Sequence, residues 1–198
     1  MKKQITQLLC GALLCAAAVA SQAAIVSVDM VPGGGIDAAR LVAPMDGFDV
    51  DIVVEDALDL AAFQFELSFD PALVSATLPV LSGGLFGGLF GGLTLELSNA
   101  AAGAVITFSE VSLDVAGIDV VGATRLGSIH FTSLAEGTSA FALSNVLLSD
   151  SIGSSLATQT NDGALTSRAP VLGVSAPETL SLAMLGLLAL SVARKRRM

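Results

Sequence analysis

Phe63-Gln64-Phe65-Glu66-Leu67-Ser68-Phe69-Asp70 alternates apolar and polar side chains without a fault. Successive strand side chains point to opposite faces, so this stretch predicts a strand with Phe63, Phe65, Leu67 and Phe69 turned inward. Asp70-Pro71-Ala72-Leu73 follows as one short turn. Working outward, Phe48-Asp49-Val50-Asp51-Ile52-Val53-Val54 alternates apolar and acidic, which places Phe48, Val50, Ile52 and Val54 inside. Leu93, Leu95 and Leu97 share one face of a further run, and Ile106 with Phe108, Ile129 with Phe131, and Phe141 with Leu143 do the same. Between residues 25 and 167 no segment sustains a helical period, and Gly, Asp, Asn and Pro punctuate the runs. Short, alternating, half-buried antiparallel strands of this kind predict a β-sandwich. Seven of the nine Phe fall on inward positions, where core packing is their role.

Composition narrows the function. The chain has 198 residues, one His, two Cys and neither Trp nor Tyr, with a formal net charge of −9. The side chains that usually perform acid–base and nucleophilic chemistry are scarce, so an ordinary enzyme is not expected. The acidic balance also disfavours nucleic acid as a partner. Missing Trp and Tyr removes the stacking platforms on which sugar sites usually depend, although a flat polar sheet face could still hydrogen-bond a polysaccharide. A carboxylate-based glycoside hydrolase would require two carboxylates about 5–10 Å apart in a cleft.

The ends of the chain read as two addresses. Residues 1–23 have the form of a secretory signal peptide. Lys2 and Lys3 supply the positive start, residues 8–20 the apolar run, and Ser21-Gln22-Ala23 the small residues before a cleavage after Ala23. That run of 13 residues is short of the roughly 20 that a spanning helix needs. Cys10 and Cys15 lie inside this segment, each preceded by Leu-Leu rather than the small residues of a lipoprotein signal. The mature chain is thus expected to lack thiols and disulfides. Beyond a linker over 168–175, Ala176-Pro177-Glu178-Thr179 precedes an apolar stretch over 180–193, and Arg194, Lys195, Arg196 and Arg197 close the chain before Met198. Fourteen helical residues span about 21 Å against a hydrocarbon core of roughly 30 Å. The basic cluster would stay cytoplasmic with the body outside.

Setting both addresses aside changes the charge. Residues 24–175 hold 17 carboxylates against Arg40, Arg125 and Arg168, a formal −14. The cluster Asp46, Asp49, Asp51, Glu55, Asp56 and Asp59 could supply oxygen ligands for Ca²⁺, but its spacing matches no EF-hand, and a solvated polar face is the simpler reading. His130 stands between inward Ile129 and Phe131 and should point outward, with no Cys or second His to complete a metal site or triad. Gly83 to Phe86 and Gly87 to Phe90 repeat Gly-Gly-Leu-Phe without the Lys of a phosphate loop. The repeat reads as a connection between strands, or as an exposed contact loop in which Phe86 and Phe90 meet a partner or another copy.

The segment 59–73 resembles the cohesin domain, in which this region reads aliphatic–aromatic–Gln–aromatic–acidic–Leu–Ser–aromatic–Asp-Pro. Gly127-Ser128-Ile129-His130-Phe131-Thr132, the Glu136-Gly137-Thr138-Ser139 turn and Leu143-Ser144-Asn145-Val146-Leu147-Leu148-Ser149-Asp150 fit the same register. The resemblance implies an all-β jelly-roll sandwich of about nine strands over 24–167, flanked by a signal helix and a short C-terminal transmembrane helix. It also implies a non-catalytic receptor for dockerin modules on a flat sheet face. Residues 176–198 resemble the PEP-CTERM sorting tail of Gram-negative bacteria, with Pro177 and Glu178 in place and Thr179 where a second Pro is usual. That resemblance implies export by the secretion machinery, transient residence in the inner membrane, processing by an exosortase-type enzyme, and delivery to the cell surface or an exopolysaccharide-rich matrix. A plain membrane anchor and a self-assembling structural matrix protein are the alternatives.

Overall fold

The computed structural model describes residues 23–85 and 93–170. The signal helix, the C-terminal helix, the sorting residues Pro177, Glu178, Thr179, Arg194, Lys195, Arg196 and Arg197, and both Phe86 and Phe90 lie outside the described residues. The chain divides into two compact units, Met1–Arg168 and Ala169–Met198.

The first unit is a two-sheet β-sandwich. Its strands are β1 (Ala24–Asp29), β2 (Ala39–Val42), β3 (Gly47–Glu55), β4 (Leu60–Ser68), β5 (Val74–Ser82), β6 (Thr94–Ala102), β7 (Val105–Ser112), β8 (Thr124–Ser133), β9 (Gly137–Asp150), β10 (Thr158–Asn161) and β11 (Gly163–Ser167). One sheet has the order β10-β1-β3-β8-β5, the other β2-β11-β9-β4-β7-β6. Strands cross repeatedly between the sheets, as in a jelly roll.

Two expectations are corrected. There are eleven described strands rather than about nine, because the four-residue β2 and β10 add themselves to sheet edges. At four residues each, Ala39-Arg40-Leu41-Val42 and Thr158-Gln159-Thr160-Asn161 carry no sustained alternation that would announce them. The pairing is also not wholly antiparallel: β10 runs parallel to β1, and β2 parallel to β11.

The deciding stretch behaves as its alternation requires. Phe63, Phe65 and Leu67 of β4 are buried, while Gln64, Glu66 and Ser68 face outward. Asp70 closes the turn after it, its carboxylate accepting from the Ala72 amide and its carbonyl from the Leu73 and Val74 amides. All seven expected Phe are buried. They form two aromatic groups. Phe131 is central to one, with ring centroids 5.0 Å from Phe141, 5.3 Å from Phe69 and 5.8 Å from Phe48. Phe108 is central to the other, 5.7 Å from Phe65 and 5.8 Å from Phe63. Edge, tilted and stacked contacts of this kind add to the burial of area itself.

The Leu93, Leu95 and Leu97 run departs from expectation. It does precede and enter a strand, but all three leucines are exposed. β6 is the end strand of its sheet, and a bulge between Glu96 and Ser98 shifts its register against β7. The extra residue takes Leu97 out of the alternation. Two side-chain bonds join this edge to the other sheet instead: Asn99 Oδ1 accepts from the Val80 amide at 2.9 Å, and its Nδ2 donates to the Val80 carbonyl at 3.0 Å.

Candidate binding faces

Each sheet turns one face to the core and one to solvent, and the register fixes which residues share the outer faces. On the five-stranded sheet, β3 contributes Asp49 and Asp51, paired with His130 and Ser128 of β8, and β1 sets Asp29 opposite Asp51. His130 does point outward, and its Nδ1 donates to Asp49 Oδ1 at 2.7 Å. Arg125 lies 3.7 Å from Asp51 Oδ2, whereas Asp51 Oδ1 is buried without a hydrogen bond. Arg40 packs over the Phe48 ring at 5.5 Å and donates to the Met30 carbonyl.

The six acidic residues singled out around β3 are not gathered by the fold. Asp46 precedes the strand and accepts from the Ala43 amide, while Asp59 lies beyond its far end. Among the described residues, no group of three or more His, Cys, Asp or Glu is placed to hold a metal ion.

The six-stranded sheet is the contrasting surface. Cross-strand partners on its outer side are Ala62 with Val111 and Ser149, Gln64 with Ser109 and Leu147, and Glu66 with Thr107 and Ser144. Leu95, Ser98 and Ala100 continue that side onto β6, and Ala164, Thr166 and Leu41 onto β11 and β2. Glu66 is the one charged residue at these outward positions, and it accepts from Asn145 Nδ2 at 2.6 Å. Leu41, Leu95 and Leu147 are exposed on this face. Small side chains make it level, with leucines standing above it.

Carboxylate pairs do occur across strands, but not in a form suited to hydrolysis. Glu110 stands opposite Glu96 on the core side, is only 4% exposed, and accepts from Ser82 Oγ at 2.6 Å. The Ile106, Phe108, Glu110 alternation places it inward, a signal visible in the sequence. An open cleft of about 200 Å³ at the start of β5 is lined by Phe69, Pro71, Val74, Ser75, Ala76, Ala101, Gly103 and Leu134, with no carboxylate among them.

Sequence reasoning also missed a tie at the opposite end. Asp59 adopts a left-handed backbone conformation with φ 55°. Its Oδ1 accepts from the Gly117 amide at 2.9 Å, and its Oδ2 from the Ser151 hydroxyl at 2.7 Å. The Ser151 hydroxyl bond is the main influence holding its carboxyl below the usual value; partial desolvation opposes this, and the Ser151 and Gly117 amides assist. Gly117 must be glycine here, because a Cβ would lie 2.2 Å from the Asp59 carbonyl oxygen. Partners 58 and 92 residues away in the chain give such a tie no local sequence signal.

The two-sheet architecture is similar to that of cohesins. A non-cellulosomal cohesin from the archaeon Archaeoglobus fulgidus aligns with a TM-score of 0.57 and 17% identity, over 75% of this chain and 93% of that one. The seventh ScaB type I cohesin from Pseudobacteroides cellulosolvens aligns at 0.59 with 12% identity, over 77% and 97%. A type I cohesin–dockerin complex from Clostridium thermocellum aligns at 0.57 with 11% identity, over 74% and 100%. No protein-family model and no curated protein sequence matches the chain.

Proposed function

We propose that this chain is an exported, non-catalytic binding module that docks a dockerin-like protein on the outer face of its six-stranded sheet. The observation that carries this reading is the near absence of charge there. A body at −14 places Glu66 alone among the outward positions of its largest sheet. Burying such a face strips little tightly held water, and the exposed leucines contribute apolar area. The cohesin fold supports a protein as partner. Export by the secretion machinery, processing by an exosortase-type enzyme at the PEP-CTERM-like tail, and residence at a Gram-negative cell surface or matrix belong to the same proposal and rest on the two terminal segments.

Calorimetric titration of the full-length chain with dockerin modules tests the docking face. Thr107→Lys with Val111→Lys is expected to weaken binding at least tenfold, while Asp49→Ser on the other sheet leaves it unchanged. Equal loss from both changes would remove the face from the proposal. Mass spectrometry of the mature chain tests the addresses: cleavage after Ala23 and loss of 180–198 are expected, and retention of 180–198 would leave a plain anchor.

A second reading, self-assembly through Phe86 and Phe90 of the Gly-Gly-Leu-Phe repeat, is favoured by the exposed Leu93 and Leu95 beside it. Light scattering that rises with concentration, and no longer does so after Phe86→Ser with Phe90→Ser, would support it. Glycan-array binding without a protein partner would point to exopolysaccharide instead.

A further inference from the structure

The connections 56–59, 113–123 and 151–157 gather at one end of the sandwich. Asp59 binds Gly117 and Ser151, Leu60 bridges Ile118, and the Val120 amide donates to the Ala57 carbonyl. Ala57, Leu60 and Val120 are buried and complete the core there. The apolar side chains left over on these loops are not needed for packing, yet Val115 is 98% exposed, Val121 87% and Ile152 85%. Leu58 and Leu113 are exposed beside them. Such a concentration of apolar tips on loops already tied together marks a contact surface whose ordering cost is largely met before binding.

Two further facts identify the partner. First, the charges carried by these connections are all negative: Asp56, Asp59, Asp114 and Asp119, with no Lys or Arg. A second copy docked tip to tip, or an anionic bilayer, would meet like charge. Second, strand direction sets this end apart from the end of β11. Ile25 pairs with Glu55 beside the loops, whereas Ser167, the last residue of β11, pairs with Gly137 at the far end of the sandwich, so β11 ends away from the apolar tips.

We infer that this loop crown is a second docking surface, separate from the sheet face, for a protein segment that carries apolar side chains flanked by Lys or Arg. Charge complementarity would steer the encounter, and the apolar tips would hold the contact.

The test uses the full-length chain in nanodiscs of zwitterionic phosphatidylcholine and dye-labelled model peptides, read by fluorescence anisotropy. A Leu/Lys peptide is expected to bind, with affinity falling as salt rises. Val115→Ser, Val121→Ser and Ile152→Ser together should weaken it at least tenfold, and their exposure leaves folding intact. Leu41→Ser with Leu147→Ser on the sheet face should change it less than twofold. Undiminished binding by the triple variant would overturn the inference. So would equal binding of a Leu/Glu peptide, equal binding of a Ser/Lys peptide, or self-association of the chain that the triple variant abolishes.

Discussion

The two outer faces of the sandwich are made by one rule, alternation on antiparallel strands, and differ in what fills the outward positions. The five-stranded sheet carries Asp29, Asp49, Asp51, Arg125 and His130 there, interleaved across β1, β3 and β8. The six-stranded sheet offers Glu66 among Ala, Ser, Thr, Gln, Val and Leu. Asp49, Arg125 and His130 are open to water on the first face while Asp29 and Asp51 are buried beneath their neighbours, and covering the open polar groups would strip water that the second face does not hold. The second is cheap to cover. Segregation of charge thus distinguishes a charge-bearing face from a nearly uncharged one, within a body whose overall charge already discourages its own association.

Both faces depend on one core, and removing its centre gives the largest expected effect. Phe131 backs the charged face from β8 and contacts Phe48, Phe69 and Phe141. Phe131→Ala should cost about 3–5 kcal/mol by lost burial and the cavity left behind. Urea unfolding should show a lower midpoint with an unchanged slope. Fluorescent reporters placed on the two faces should lose structure in one transition. Two separate transitions would show that the sheets are energetically independent.

The buried half of this architecture was legible in the sequence because alternation is a local signal. Phe63-Gln64-Phe65-Glu66-Leu67-Ser68 states its own inside and outside, and the inward Phe at five other positions follow the same rule. Leu93, Leu95 and Leu97 misled for an instructive reason. Their alternation is that of a buried face, but β6 ends its sheet and is bulged, so tertiary position overrides pattern. The uncharged face was less legible. Which outward residues become neighbours depends on strand order and register, and β4 lies between β7 and β9, far from both in sequence. The loop crown was least legible, since Asp59, Gly117 and Ser151 meet only after the sandwich closes.

Asp59 provides a smaller effect that separates the loop end from both sheet faces. Its carboxyl is held below its ordinary value of 3.8 in the folded chain, chiefly by Ser151. A carboxyl depressed on folding contributes stability that is fully present above the unfolded value and is lost as pH falls through the folded one. Asp59→Asn should therefore lower the thermal midpoint at neutral pH, with the gap to the unaltered chain closing as pH drops below about 3.8. Hydrogen exchange should locate the loss in 113–123 and 151–157, with β4 and β8 still protected. A gap independent of pH would mean that the asparagine acts through shape rather than charge.

The smallest effect is expected from the most visible exposed pair, which is a charge pair only when the imidazole is protonated. His130 and Asp49 are 2.7 Å apart, but their side chains are 50% and 61% exposed. Water solvates both partners well, and holding them together costs side-chain entropy, so such pairs contribute about 0–1 kcal/mol. A double-mutant cycle of Asp49→Ala and His130→Ala should return a coupling in that range, shrinking further in about 0.5 M salt. Coupling much above it would mean that this face is less open to water than its exposure indicates. The role assigned to its charges would then change from keeping the sheet solvated to bracing β3 against β8, and the contrast between the two faces would be one of rigidity as well as of charge.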